Sequence, residues 1–111
     1  HGTGTRLNDP LECRAIHQIF GGRAATLPVS SNKSVFGHSM GASSALEALA
    51  TLLAVQNDCA PPTLNCDYQD PECAIDTVSH NSRKVTIDAA LSNSFAFGGS
   101  NAVLAFRKWK P

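Results

Sequence analysis

Ser30-Ser31-Asn32-Lys33-Ser34-Val35-Phe36-Gly37-His38-Ser39-Met40-Gly41 runs straight into an Ala- and Leu-rich stretch, Ala42 to Val55. The second stretch reads as the strongest helix of the chain. Leu46, Leu49 and Leu53 line one face, with Ala45 and Leu52 beside them. Apolar residues spread nearly all round, which predicts a helix buried on most sides. The first stretch therefore sets a lysine, a histidine and several small residues just ahead of a helix N-terminus. That position favours developing negative charge and disfavours a protonated imidazole. His38 is expected to work there as a hydrogen-bond donor. Glu47 is the only ionisable residue between Ser39 and Gln56. A carboxylate on a buried helix is costly without a partner, and Lys33 is the nearest cation upstream.

Outward from this centre the chain alternates helix and strand. Asp9-Pro10-Leu11-Glu12 reads as a helix start, with Asp9 as cap, Pro10 at the first helical position and Glu12 closing a capping box. Leu11, Ala15, Ile16, Ile19 and Phe20 follow at helical spacing, and Gly21-Gly22 ends the run. Leu27 to Ser31 reads as a short strand. Cys59 to Cys73, with Pro61, Pro62 and Pro71, reads as an irregular connection. Val85 to Phe97 and Ala102 to Trp109 read as strands joined by a tight turn, Phe97-Gly98-Gly99-Ser100-Asn101. Helix, strand, helix, strand, strand predicts a layered α/β domain, with one further strand expected just before His1. His1-Gly2-Thr3-Gly4-Thr5 itself reads like the middle of a motif, so the chain is expected to be a piece of a longer protein.

The 111 residues suffice for one domain. Nine Lys and Arg balance nine Asp and Glu, which argues against a nucleic-acid binder and against a polybasic membrane-surface binder. A chain that is 42% apolar is not disordered, and no apolar run reaches the ~18 residues of a membrane helix. Cys13, Cys59, Cys66 and Cys73 form no C-x-x-C pair, which predicts reduced thiols. Cys59, Cys66, Cys73 and His80 recur every seven residues, a spacing too wide for a structural zinc site; no metal site is expected.

Two further places could carry chemistry. His1, Thr3 and Thr5 sit in a glycine-spaced loop that lets backbone approach a ligand. Asn93 to Asn101 sets Phe95 and Phe97 ahead of two glycines, a pattern that can gate a pocket. Two enzyme readings compete for these features. Gly37-His38-Ser39-Met40-Gly41 matches G-x-S-x-G, the nucleophile elbow of α/β-hydrolases, with Ser39 attacking and Asp76 and His80 completing a triad. That reading leaves His1, Lys33 and the Phe95–Gly99 loop without a role.

The second reading uses all of them. The chain resembles, over essentially its whole length, the C-terminal part of the β-ketoacyl-acyl-carrier-protein synthases, type II condensing enzymes of the thiolase fold. The resemblance rests on His-Gly-Thr-Gly-Thr at His1–Thr5, Ser-Asn-Lys-Ser at Ser31–Ser34, Gly-His-Ser-Met-Gly-Ala at Gly37–Ala42 and Asn-Ser-Phe-Ala-Phe-Gly-Gly-Ser-Asn at Asn93–Asn101. It implies a thiolase-like layered α-β-α-β-α architecture, of which residues 1–111 are most of one C-terminal half. It implies decarboxylative Claisen condensation of an acyl chain with malonyl-acyl-carrier protein in fatty acid biosynthesis. His1 and His38 look like the family's active-site histidines, which stabilise an enolate by oxyanion-type donation. Lys33 and Glu47 look like its lysine and the glutamate that pairs with it. Thr3 and Thr5 resemble the threonines that bind the pantetheine arm. Phe95 and Phe97 resemble the gate phenylalanines, Gly98 and Gly99 the hinge, and Asn101 the asparagine that closes the motif. Ala96 departs from the glycine usual there, which predicts a stiffer gate.

The resemblance implies no bound cofactor, since phosphopantetheine arrives on the carrier protein. Its partners would be the carrier, malonyl and acyl thioesters, the N-terminal part of the same enzyme and a second copy in a cytoplasmic homodimer. The family's nucleophilic cysteine lies in the N-terminal half, and none of the four cysteines here has its context. Without an activated thiol no acyl-enzyme forms, so residues 1–111 alone are expected to be inactive. The alternatives are a polyketide ketosynthase or a chain-length-factor subunit and, more distantly, the Ser39 hydrolase.

Overall fold

The computed structural model describes residues 1–110; Pro111 lies outside them. Helix α1 spans Asn8–Phe20 and a 3-10 turn, Gly21–Thr26, leads to strand β1, Pro28–Val29. Helix α2 is a single turn, Lys33–Phe36, and a second 3-10 turn, Met40–Ala42, opens helix α3, Ser43–Asn57. Four strands follow β2, Cys59–Ala60: β3, Asp76–Thr77; β4, Arg83–Lys84; β5, Ala89–Phe95; and β6, Asn101–Arg107. The strand expected over Leu27–Ser31 therefore shrinks to two residues, and β5 and β6 are shorter than the apolar runs that announced them.

The long pair is the antiparallel β5–β6 hairpin, running from Ala89 opposite Arg107 to Phe95 opposite Asn101. β1 pairs in parallel with β3, and β2 pairs antiparallel with β4. Each of these three sheets has only two strands, so β1 and β5 each keep one unpaired edge. A cleft of about 710 Å³ is lined by residues of both. Leu27–Ser31 and Ala89–Asn93 line it together with Ile16 and Phe20 of α1, Thr51 and Ala54 of α3, and His1.

Helix α3 packs against β5, β6 and β2 and covers only the face turned to them. Ser43, Glu47, Ala54 and Val55 are buried. Leu49 and Leu53 remain 55% and 50% exposed, so the expectation of a helix buried on most sides does not hold. Among the described residues these strands pack on α3 while its leucine stripe stays about half-exposed. The buried apolar residues are small, among them Ala24, Ala60, Val55, Val78 and Cys13.

The start of α1 also departs from the local pattern. Its N-cap position is Leu7, with no side-chain cap. The Asn8 N–H instead meets the Thr5 hydroxyl at 3.2 Å. The Asp9 carboxylate accepts from the Gly4 N–H at 3.2 Å, and Glu12 turns away to the His1–Gly2 segment. Both acids serve the loop before the helix rather than a capping box.

At the other end of α3, Asp58 takes a left-handed conformation (φ 51°), which short polar residues tolerate. Its carboxylate accepts from the Ile87 N–H at 2.9 Å and the Lys108 ammonium at 2.5 Å, tying the helix end to the segments just before β5 and just after β6. The Ile87 N–H first, and then Lys108, hold this carboxyl below its ordinary value of 3.8. A depressed folded value stabilises at pH above the unfolded value, and that contribution vanishes as pH falls through the folded one. Asp58→Asn should therefore melt below the parent at pH 7, with the gap closing below about pH 3.8. A gap that persists unchanged to pH 3 would remove the charge from this account.

Candidate active site

The loop His1–Thr5 is held by two anchors. The first is Glu12, whose carboxylate accepts from the main-chain nitrogens of His1 (2.8 Å) and Gly2 (2.9 Å) and from the Asn93 side-chain amide (3.2 Å). Burial pushes this carboxyl up, and the donors of Gly2 and Asn93 pull it down. The second anchor is Ser31. Its hydroxyl donates to the Gly2 carbonyl at 2.5 Å, while its own N–H donates to the Thr63 hydroxyl at 2.9 Å. The approach is close: a Cβ on Gly2 would lie 2.7 Å from the Ser31 Cβ, and Gly2 has φ +50°.

Those anchors lay His1 over Lys33, the first residue of α2. The Lys33 ammonium donates to the His1 carbonyl at 2.7 Å and to His1 Nδ1 at 3.2 Å. Its third proton goes to Glu47 Oε1 on α3, in a buried ion pair. An ammonium has three donors, and all three are spent. Glu47 Oε2 makes no hydrogen bond among the described residues, and Glu47 lines the cleft between β1 and β5.

His38 stands edge-on to His1, with ring centroids 5.7 Å apart and planes at 88°. Its Nδ1 lies 3.1 Å from the Met40 N–H and 3.1 Å from the Ser43 hydroxyl. Met40 occupies the left-handed region at φ +49°, uncommon for a residue other than glycine. An N–H can only donate, so Nδ1 of His38 is the acceptor and the ring proton sits on Nε2. The same argument applies to His1, whose Nδ1 faces the lysine. Each ring therefore keeps an Nε2–H with no protein partner among the described residues, the two rings 5.7 Å apart. Phe95 packs against His1 at 5.6 Å between ring centroids.

The structure thus brings His1, Lys33, His38, Glu47 and Phe95 together. Thr3 and Thr5 lie on the adjoining loop, their hydroxyls 3.1 Å apart. Phe97 does not join them: it is fully exposed. It sits in the β5–β6 turn, where Gly98 and Gly99 both have φ +81° and Ala96 N–H donates to the Ser100 carbonyl at 2.9 Å. Asn101 opens β6 opposite Phe95. Ala96 is not among the left-handed residues, so its methyl imposes no strain on this backbone. Glu12, Asn93, Ser31 and Ser43 were missed as site residues. Glu12 matched a helix cap, Ser31 and Asn93 open two of the quoted motifs without a role of their own, and Ser43 carries no signal in sequence beyond being small and polar.

The hydrolase reading fails on context. A nucleophile elbow needs a strand before the serine, and Ser39 follows α2. Its proposed partners are engaged elsewhere, Asp76 with Arg83 at 2.9 Å and His80 beside Asp67 at 3.8 Å. Two cysteines are also unsuited to attack. Burial, with Cys73 adjacent, pushes the Cys13 thiol up to about 12, and burial raises Cys73 too. Thiols so shifted are poor nucleophiles at neutral pH.

Comparison with known proteins agrees with this geometry. The family model for the beta-ketoacyl synthase C-terminal domain matches residues 1–67. The chain is 50% identical, over 99% of its length, to 3-oxoacyl-[acyl-carrier-protein] synthase 2 of Synechocystis sp. (strain ATCC 27184 / PCC 6803 / Kazusa), covering 26% of that protein. Among solved structures, the ishigamide ketosynthase/chain length factor superposes with a TM-score of 0.94 at 41% identity, covering 99% of this chain and 27% of that one. A type II PKS acyl-carrier protein in complex with its ketosynthase gives 0.95 at 33% identity, with the same coverage. The chain belongs to the beta-ketoacyl synthase family, as its C-terminal domain, and its fold is thiolase-like. It spans about a quarter of the length of these relatives.

The two loop glycines offer a test of the His1 anchorage. Gly4, at φ +71°, has nothing within 4 Å of an added Cβ, so Gly4→Ala should cost only backbone strain, roughly 1–2 kcal/mol. Gly2→Ala adds the collision with Ser31 and should cost roughly 1–3 kcal/mol more. Denaturant unfolding of both variants would show this ordering; equal losses would mean that the Gly2–Ser31 contact does not anchor the loop.

Proposed function

We propose that this chain is the C-terminal part of a β-ketoacyl-acyl-carrier-protein synthase, an acyltransferase that condenses an acyl chain with malonyl-acyl-carrier protein in fatty acid biosynthesis. The observation that carries this reading is the pair of Nε2–H donors on His1 and His38, each fixed by a donor on its Nδ1. When malonyl-carrier loses CO2, the electron pair of the broken C–C bond passes into an enolate, and the oxygen gathers charge. Two prearranged donors stabilise that charge. The enolate carbon then attacks the acyl thioester carbonyl, and the cysteine thiolate leaves. That cysteine belongs to the N-terminal part of the same enzyme.

Lys33 positions His1, and Glu47 balances the lysine's charge. Thr3 and Thr5 take the pantetheine arm, so the cofactor comes and goes with the carrier. Phe95, Phe97, Gly98, Gly99 and Asn101 form the gate. In this reading the exposed leucines of α3 and the cleft between β1 and β5 are covered by the rest of the protein. A strand lying in the cleft would pair with both free edges and bring backbone donors near the unpartnered oxygen of Glu47, a group costly to leave buried alone. The enzyme is a cytoplasmic homodimer, and its four free thiols suit a reducing compartment. A ketosynthase of polyketide type is the second reading, favoured by the likeness to type II PKS structures. It uses the same site chemistry and is told apart by whether the product carries one or several condensed units.

In the full-length enzyme, His38→Ala should slow malonyl-carrier decarboxylation by roughly 100–1,000-fold. Ser39→Ala should leave it unchanged, and a fluorophosphonate should not label Ser39. Residues 1–111 alone should show no condensation. An unaffected His38→Ala enzyme, or turnover by the piece alone, would overturn the assignment.

A further inference from the structure

We propose that Ser43 is a positioning residue for His38, an inference that rests on the condensing-enzyme reading above. Ser43 is the first residue of α3 and is 4% exposed. A serine at a helix start ordinarily turns its hydroxyl onto the helix's own free N–H groups. Here the N-cap place belongs to Ala42, no side chain caps the helix, and the Ser43 hydroxyl lies 3.1 Å from His38 Nδ1. A hydroxyl donates or accepts. Because the Met40 N–H already makes Nδ1 an acceptor, the hydroxyl is the donor.

Two hydrogen-bond partners on Nδ1, the Met40 N–H and the Ser43 hydroxyl, set the direction of the His38 ring. A single donor on Nδ1 would leave the ring an arc of motion, and a second donor sharing the same lone pair narrows it. The two arms are unequal. Met40 sits in strained left-handed backbone, in the short turn ahead of α3. Ser43 is buried at the root of a 15-residue helix, four residues before Glu47, which binds Lys33. The serine is thus the rigid arm. It references His38 to the same helix that references His1 through Lys33, and so fixes the two Nε2–H donors relative to each other.

The test is a double-mutant cycle in the full-length enzyme, read by malonyl-carrier decarboxylation. Alanine is the best helix former, so Ser43→Ala should keep its melting temperature. Its kcat should fall roughly three- to ten-fold, the worth of one neutral hydrogen bond, with KM unchanged. In a His38→Ala background the same substitution should have no further effect. Ser43→Cys, similar in size and a weak donor, should show the same loss if Ser43→Ala folds poorly. Ser43→Ala at the parent rate, or a loss that persists in the His38→Ala background, overturns the role of Ser43 alone. A His38→Ala enzyme that decarboxylates normally overturns the reading of the site beneath it.

Discussion

The site is organised around one ammonium group. Lys33 Nζ meets the His1 carbonyl, His1 Nδ1 and Glu47 Oε1, so three chain segments far apart in sequence are joined at one atom. The pair is buried, with side-chain exposures of 5% and 8%, and its charges are little screened by solvent. Removing one member of such a pair leaves an uncompensated buried charge, at roughly 3–5 kcal/mol. That penalty ties loop, α2 and α3 into one unit. It also fixes which face of α3 turns inward, the one that carries its single carboxylate to Lys33.

The two histidines reach the same protonation pattern by different routes. His1 has its Nδ1 occupied by a side chain 32 residues away, so its orientation depends on the folded core. His38 has its Nδ1 occupied by neighbours two and five residues on, so its orientation is set by the local turn into α3. Glu12 supplies the remaining constraint, holding the His1–Gly2 backbone and Asn93 of β5 on one carboxylate. Phe95, two residues beyond Asn93, is thereby brought against His1. The position of β5 is coupled to that of the donor loop.

What could be read in the sequence follows the range of the interactions involved. The Lys33–Glu47 pairing was legible because a lone carboxylate on an apolar helix needs a cation, and one stood nearby. The boundaries of α1 and α3 were legible within a few residues because helices are built from local hydrogen bonds. The burial of α3 was not, because it depends on what lies across from each face, and Leu46, Leu49, Leu52 and Leu53 stay about half-exposed among the described residues. Strand lengths failed for the same reason: Leu27 and Val85 are apolar enough for a strand, but a strand ends where its partner ends. Glu12 misled because three-residue spacing from an aspartate is a capping signal, and only the tertiary fold brings main-chain donors of His1 and Gly2 within its reach.

The arrangement also accounts for the density of small residues in this chain's motifs. Gly2 lies so close to Ser31 that any side chain would collide, and Ser31 and Ser43 place hydroxyls on a carbonyl and a ring nitrogen at 2.5 and 3.1 Å. Contacts of this length cannot be made by long flexible side chains without a large loss of rotamer entropy. Two imidazoles must be held at fixed separation before substrate arrives if their donors are to stabilise a charge that exists only transiently. Short, stiff residues on short segments do this at the lowest entropic cost. The glycines and serines around His1, Lys33 and His38 are therefore the mechanical part of the site, and the histidines and lysine its chemical part.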